Sequence, residues 1–369
     1  MAGGPRQVPL TSAMVLINLA VFALMLMAGS GLWHSASGVP LAWGASFGPA
    51  TQDGQWWRLL TAMFVHFGLV HLVLNMWALW DVGRLVERLL GPLRFALLYA
   101  GSGLIGNLLS LVVQGNQAVS GGASGAIFGL YGAMLVSLWR ERAQVERREF
   151  RWVFGVAVVF ALLTLGMGWL ASGIDNAAHL GGLISGACLS SLLPRRWSPR
   201  SPALQRERGL AALALVLGIA ALVTHIPEPT YLMGDELRAR AAIRQFLTDD
   251  QRVSQRWNQL LAARPATLGG GNLSFDELAG HIEDNVTAVY DNSFEQLTAA
   301  NPGAGAPSAK TLEDLQNYAA LRADASRALA DGLRHKDQEK IRQALDKARQ
   351  ARSASSQPPA SAATSGRRP

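Results

Sequence analysis

The chain of 369 residues has one cysteine, Cys188, and it lies in an apolar run. No internal disulfide can form, and cysteine usage says nothing firm about compartment. Charge is scarce as well: Asp, Glu, Lys and Arg make up 16% of the residues, against about a quarter in a soluble domain. The deficit is uneven. Before Met233 the charges fall in short patches between long neutral stretches, and after it they are spread evenly. This predicts a multi-span membrane region followed by a soluble one. The net charge of +7 carries no basic face with interleaved aromatics, which argues against a nucleic-acid partner. The apolar run 14–27 lacks a small-residue cleavage site, so it reads as a retained first span and not as a signal peptide.

Seven apolar stretches, near 13–29, 67–86, 93–113, 124–139, 152–170, 176–193 and 209–226, are long enough or nearly so to cross a hydrocarbon core ~30 Å thick as helices. The expected fold class is all-α, a polytopic membrane helical bundle with a small helical region outside the membrane. Arginines follow the second stretch (Arg84, Arg88, Arg94), the fourth (Arg140, Arg142, Arg147, Arg148, Arg151) and the sixth (Arg195, Arg196, Arg200, Arg206, Arg208), with Arg58 the exception to the pattern. By the positive-inside rule the N-terminus and these three loops are cytoplasmic, and everything after Ile226 lies on the opposite side. The expected organisation is a membrane core over 1–195, a cytoplasmic loop with the seventh helix over 196–226, a non-cytoplasmic helical region over 227–352 and a disordered tail over 353–369. In the third region Ser274 and Glu277 form a capping-box pattern. Leu278, Ile282, Val286 and Val289 follow at helical spacing, and a further helix from Leu312 includes Leu315, Leu329 and Leu333. The glycines at 269–271 and the segment 301–307 separate these helices. His281 and His335 are isolated and read as surface residues.

Two residues in the membrane region carry chemistry. Ser124 opens the fourth stretch and His179 lies near the start of the sixth, both on the outer side. On its own, such a serine reads first as a packing residue bonded back to its own helix, and such a histidine as an interhelical hydrogen-bond partner. A shared side and depth weaken both readings and point to a hydroxyl nucleophile with an imidazole base. His71 and Asn75 are four apart on the second stretch, so they share a helix face. Both can donate to a developing oxyanion, as can the Ser124 backbone N–H. The alternative is a structural polar seam. Asp175 precedes His179 by four and reads as a helix N-cap more readily than as a triad acid. Gly125 and Gly129, and Gly182 and Gly186, have the small-xxx-small spacing of closely packed helices. Trp33, Trp43, Trp56 and Trp57 in the first outer loop suit an aromatic belt or an element lying in the interface.

Together these residues resemble the rhomboid family of intramembrane serine proteases over 13–195. Gly122-Ala123-Ser124-Gly125 is similar to its nucleophile motif. Ala178-His179 followed by Gly182 and Gly186 is similar to its sixth helix, and His66, His71 and Asn75 to its second. Trp57-Arg58 resembles the Trp-Arg pair of its first loop, and Glu87 and Gly91 its Glu-x-x-x-Gly motif. The resemblance implies a six-helix core plus one C-terminal span. It implies a dyad of Ser124 and His179, with oxyanion contacts from His71 and Asn75. Supporting places go to His66, Trp57, Arg58, Glu87, Gly122, Phe128, Gly182 and Gly186. Phe128 stands where many members have a tyrosine stacked on the imidazole. The implied reaction is hydrolysis of a peptide bond in or near a transmembrane segment, with lateral access past the fifth helix and its loop over 163–174. No metal or organic cofactor is implied, and the partners are transmembrane protein substrates and membrane lipids. The Arg- and Ala-rich composition suggests a bacterial cytoplasmic membrane. A catalytically silent relative that binds transmembrane clients, and a transporter lined by the polar residues of the second stretch, are the rival readings.

Overall fold

A computed structural model describes residues 8–143, 146–170, 173–193, 202–262 and 274–355. Among them the regular structure is helical, apart from one antiparallel bridge between Ser46 and Ser120. Arg195, Arg196 and Arg200, the glycines at 269–271 and residues 356–369 of the expected disordered tail lie outside the described residues. The chain divides into two compact units, Met1–Pro229 and Thr230–Pro369.

In the first unit, seven helices of 17 to 24 residues match the seven expected stretches: α1 (Pro9–Met27), α5 (Leu69–Leu90), α6 (Pro92–Gln114), α7 (Ser124–Glu141), α8 (Arg147–Leu170), α9 (Asn176–Leu192) and α10 (Pro202–Thr224). Short helices α2 (Gly38–Ala42), α3 (Gly48–Thr51) and α4 (Arg58–Thr61) shape the first loop. Proline at the first turn sets the start of α1 and of α6, because a missing N–H is harmless there and the fixed φ is already helical. Leu72, Leu79, Val82, Val86, Phe95, Leu98, Ile127 and Leu130 form the main core. Large apolar side chains on the other faces, such as Leu16, Trp77, Leu163 and Leu213, are exposed, as residues facing acyl chains are.

By length and apolarity, α1, α5, α6, α8 and most of α10 qualify as membrane spans. The other two long helices fall just short: α9 has 17 residues, and α7 ends in Arg140 and Glu141. They can be shorter and more polar because neighbours shield them. The stretch from Gly125 to Met134 in α7 is buried throughout, and α9 buries Ser185, Ser190 and Ser191 together with its glycines.

Glu87, 2% exposed near the end of α5, closes the start of α1. Its carboxylate accepts from the Leu10 N–H (3.0 Å), the Thr11 N–H (2.8 Å) and the Thr11 hydroxyl (2.7 Å). The first turn of a helix has N–H groups with no intrahelical partner and carries partial positive charge, so a carboxylate suits it. Glu87→Ala leaves these donors buried and unmet. It is expected to lower unfolding stability by about 2–4 kcal/mol, read from denaturation in detergent.

The second unit is built from α11 (Met233–Ala262), α12 (Phe275–Ile282), one turn of π-helix (Glu283–Thr287), α13 (Ala288–Ala299), α14 (Ala309–Arg334) and α15 (Gln338–Ser355). Phe246, Val253, Ile282, Val286, Tyr290, Leu297, Leu312 and Leu329 fill its core. His281 and His335 are exposed. Helix α15 reaches Ser355, past the start of the stretch expected to be disordered, where Ala351 and Ala354 favour its continuation.

The capping box at α12 is formed in both directions. The Glu277 N–H donates to the Ser274 hydroxyl (3.2 Å), and the Ser274 N–H donates to the Glu277 carboxylate (2.8 Å). These bonds hold the Glu277 carboxyl below its ordinary value. Such a group stabilises the fold above its unfolded value, and the benefit is lost as pH falls through the folded one. Ser274→Ala is therefore expected to lower the melting temperature of this unit by a few degrees near neutral pH. The gap to wild type should narrow as pH falls from about 7 to about 3, followed by circular dichroism.

Candidate active site

Helices α7 and α9 meet backbone to backbone. A methyl group added at Gly182 would stand 1.9 Å from the Gly125 carbonyl oxygen, and one at Gly186 2.1 Å from that of Gly129. The position of a Gly125 methyl lies 3.3 Å from the Ala178 carbonyl oxygen. Because contacts advance in the same sense along both helices, they run parallel, with Ser124 and His179 at the same end.

Ser124 is the first residue of α7 and is half-buried. Two residues earlier, Gly122 has φ +133°, a conformation that L side chains rarely adopt. A methyl there would lie 2.8 Å from His71 Nε2 and 3.7 Å from Ser124 Oγ, so these two atoms flank the same point of backbone. His71 Nδ1 accepts a long hydrogen bond, 3.5 Å, from the Phe67 N–H. In a neutral ring this leaves the proton on Nε2, the nitrogen facing Gly122. Asn75 is buried one turn along α5, and its side-chain amide donates to the His71 carbonyl (2.8 Å), which leaves its second N–H for another acceptor. His66 is fully buried and packs against His71, with ring centroids 5.0 Å apart.

His179 is 4% exposed. Its ring stacks on Phe128 with centroids 4.4 Å apart and planes 5° from parallel. Phe128 stands one turn beyond Ser124 on α7, so the stack holds the imidazole against the helix that carries the serine. Among the described residues no hydrogen bond joins Ser124 Oγ to His179, and His179 Nδ1 has no hydrogen-bond partner. Asp175 is the N-cap of α9: Oδ1 accepts from the Ala178 N–H (2.9 Å), while Oδ2 accepts from the Ser110 hydroxyl (2.5 Å) and from the Ser120 hydroxyl.

The first loop is stitched to the segment that leads into α7. Ser46 and Ser120 exchange backbone hydrogen bonds of 2.8 Å, and the Gly122 N–H donates to the Ala62 carbonyl (2.8 Å). Arg58 organises this loop. Its guanidinium donates to the Leu41 carbonyl (2.6 Å), the Ala45 carbonyl (3.0 Å) and the Gln55 side chain (2.8 Å), and lies 4.7 Å from the centre of the Trp57 ring. Asn107 donates to the Leu59 carbonyl (2.7 Å), and Asn176 ties α9 to α8 through the Leu165 carbonyl (3.0 Å). Ser110, Ser120, Asn107 and Asn176 were not singled out from the sequence. The partners of Ser110, Ser120 and Asn107 lie 48 to 65 residues away, and that of Asn176 11 residues back on the preceding helix, and spacing gives no sign of any of them. Among the described residues no three His, Cys, Asp or Glu side chains gather as a metal site would require.

Gly182→Ala and Gly186→Ala are expected to destabilise the fold by about 3 kcal/mol or more, because the new methyl meets backbone that cannot move aside. Gly155→Ala and Gly218→Ala add a methyl into open space and should stay within about 1 kcal/mol of wild type. Thermal unfolding of the four variants makes the comparison.

A family model for the rhomboid domain matches residues 53–196. The chain is 36% identical over 192 residues to rhomboid protease GluP of Bacillus subtilis, covering 52% of this chain and 36% of that protein. It is 39% identical over 140 residues to the putative rhomboid protease YdcA of the same organism, covering 38% of this chain and 68% of that one. A third relative, the inactive RHOMBOID-like protein 8 of Arabidopsis thaliana, is 37% identical over 157 residues, covering 42% of this chain and 43% of the plant protein. The chain thus spans from about a third to two thirds of the length of these relatives. Motifs that resemble one family fall within the stretch its domain model matches, and a relative of that family is aligned over most of its own length: the chain belongs to the rhomboid family.

Proposed function

We propose that the chain is an intramembrane serine endopeptidase that cuts peptide bonds in or near transmembrane segments of other membrane proteins. The observation that carries this reading is the stack of His179 on Phe128, one turn from Ser124, across two parallel helices that glycine holds together. In the proposed reaction His179 takes the proton of Ser124 Oγ as the hydroxyl attacks the scissile carbonyl. The oxyanion is met by the Nε2–H of His71, the free amide N–H of Asn75 and the backbone N–H of Ser124 at the start of α7. His179 then gives its proton to the leaving amine, and water hydrolyses the acyl-enzyme. The lack of an acidic partner at His179 Nδ1, and the engagement of Asp175 by three other donors, favour a dyad over a triad.

A transmembrane substrate would enter laterally past α8. Only Ala157 and Ala161 of that helix are buried, and its end carries Gly166, Gly168 and the exposed Trp169. We place the N-terminus and the arginine-rich loops in the cytoplasm of a bacterial cell, and the helical region 227–352 on the other side of the membrane.

A silent, client-binding member is the second reading, because one relative at 37% identity is named inactive. Ser124 and His179 are both present here, which favours the enzyme. A fluorophosphonate probe should label wild type and not Ser124→Ala. Cleavage of a reporter transmembrane segment should vanish in Ser124→Ala and in His179→Ala, and kcat should fall about 10²–10³-fold in His71→Ala. Cleavage by Ser124→Ala at the wild-type rate overturns the proposal, and an unlabelled wild type that still retains transmembrane clients supports the binder.

A further inference from the structure

We propose that Asp175 is a positioning residue: its one carboxylate ties the segment leading into Ser124 to the helix that carries His179, and so sets the spacing of the dyad. The inference rests on the dyad reading above and adds a residue to it.

The glycine contact between α7 and α9 sets how closely the helices approach, and the Phe128–His179 stack holds one face of the imidazole. A further tie closes the reactive end. Asp175 stands there. Oδ1 accepts from the N–H of Ala178, the residue before His179, and the His179 N–H itself donates to the Asp175 backbone carbonyl (3.1 Å). Oδ2 accepts from the hydroxyl of Ser120, four residues before Ser124, and from that of Ser110 on α6.

The far side of the tie is itself bonded and closely packed. Ser120 is locked to Ser46 by paired backbone bonds of 2.8 Å, and the Gly122 N–H is held by the Ala62 carbonyl. Gly121 packs so closely that an added methyl would lie 3.1 Å from the Val65 carbonyl oxygen. From Ser124 back to Ser120, across the carboxylate, and on through one helical turn to His179, each link is fixed. An ionised carboxylate is acceptor-only and can serve several donors at once, and hydrogen bonds to it are stronger than neutral ones. Asparagine would keep the cap through Oδ1 but reverse both hydroxyl bonds, its NH2 donating to Ser110 and Ser120, and would remove the charge that strengthens them. A misplacement of about 1 Å between reacting groups can lower a rate about 10²-fold, so a tie of this kind acts on turnover.

The test uses the full chain in lipid vesicles and compares wild type with Ser110→Ala/Ser120→Ala and with Asp175→Asn. The double serine variant should lose about ten- to a hundredfold in kcat on a transmembrane reporter and in the rate of fluorophosphonate labelling. KM and the shape of the pH profile should not change. Asp175→Asn should fall by a similar factor. Were Asp175 a triad acid, Asp175→Asn would lose about 10⁴-fold while the double serine variant kept wild-type turnover; that pattern overturns the proposal. So does a double variant that melts earlier yet labels and cleaves at wild-type rates. Amide hydrogen exchange over 118–122 and 175–178 should quicken in the double variant, and unchanged exchange also refutes the tie. Because exchange needs no activity, it tests the tie even if wild type neither labels nor cleaves, a result that would sink the dyad reading alone.

Discussion

The approach of α7 and α9 is the constraint on which the first unit turns. Only hydrogen atoms stand between Gly182 and the Gly125 carbonyl and between Gly186 and the Gly129 carbonyl, so the two backbones touch over two turns. That contact needs small residues, and the same two helices fall short of the length and apolarity of a membrane span: α9 has 17 residues, and α7 ends in Arg140 and Glu141. Helices α1, α5, α6 and α8 carry large exposed apolar side chains, among them Leu16, Trp77, Leu97 and Leu163. A pair of modest helices can then sit among them, with a hydroxyl and an imidazole at one end.

The same economy runs through the polar groups. Ionisable side chains at membrane depth are tolerated when their partners are in place. Glu87 meets two amides and a hydroxyl, Arg58 meets two carbonyls and an amide, and Asp175 meets two hydroxyls and an amide. Each joins parts of the chain that are distant in sequence, and each sits at a helix end or in the loop network and not in mid-helix. His179 differs. Its ring is stacked on Phe128, while Nδ1, like both ring nitrogens of the buried His66, has no hydrogen-bond partner among the described residues.

Most of the architecture could be read from the chain, because run lengths of apolar residues and the placement of prolines decide where membrane helices begin and end. The short-spaced glycines announced the α7–α9 contact, and the Ser274–Glu277 pattern announced its cap. What could not be read was partner choice. Nothing around Ser110 or Ser120 marks them as ligands of Asp175, and nothing near residue 10 shows that its donor is met by Glu87. The sequence also gives no sign that one N–H of Asn75 donates to the His71 carbonyl, a turn earlier. The shielding that lets α7 and α9 be short and polar is likewise a property of the assembled bundle, absent from any window of sequence.

The Glu87 contact also has an order in time. The amides of Leu10 and Thr11 lie 77 and 76 residues ahead of the carboxylate that meets them. During synthesis α1 therefore emerges with its first turn open, and it stays open until the end of α5 has been made and has come back beside it. The opening helix is placed early and finished late, so its final seat in the membrane belongs to a step in which a hairpin closes, not to its own insertion.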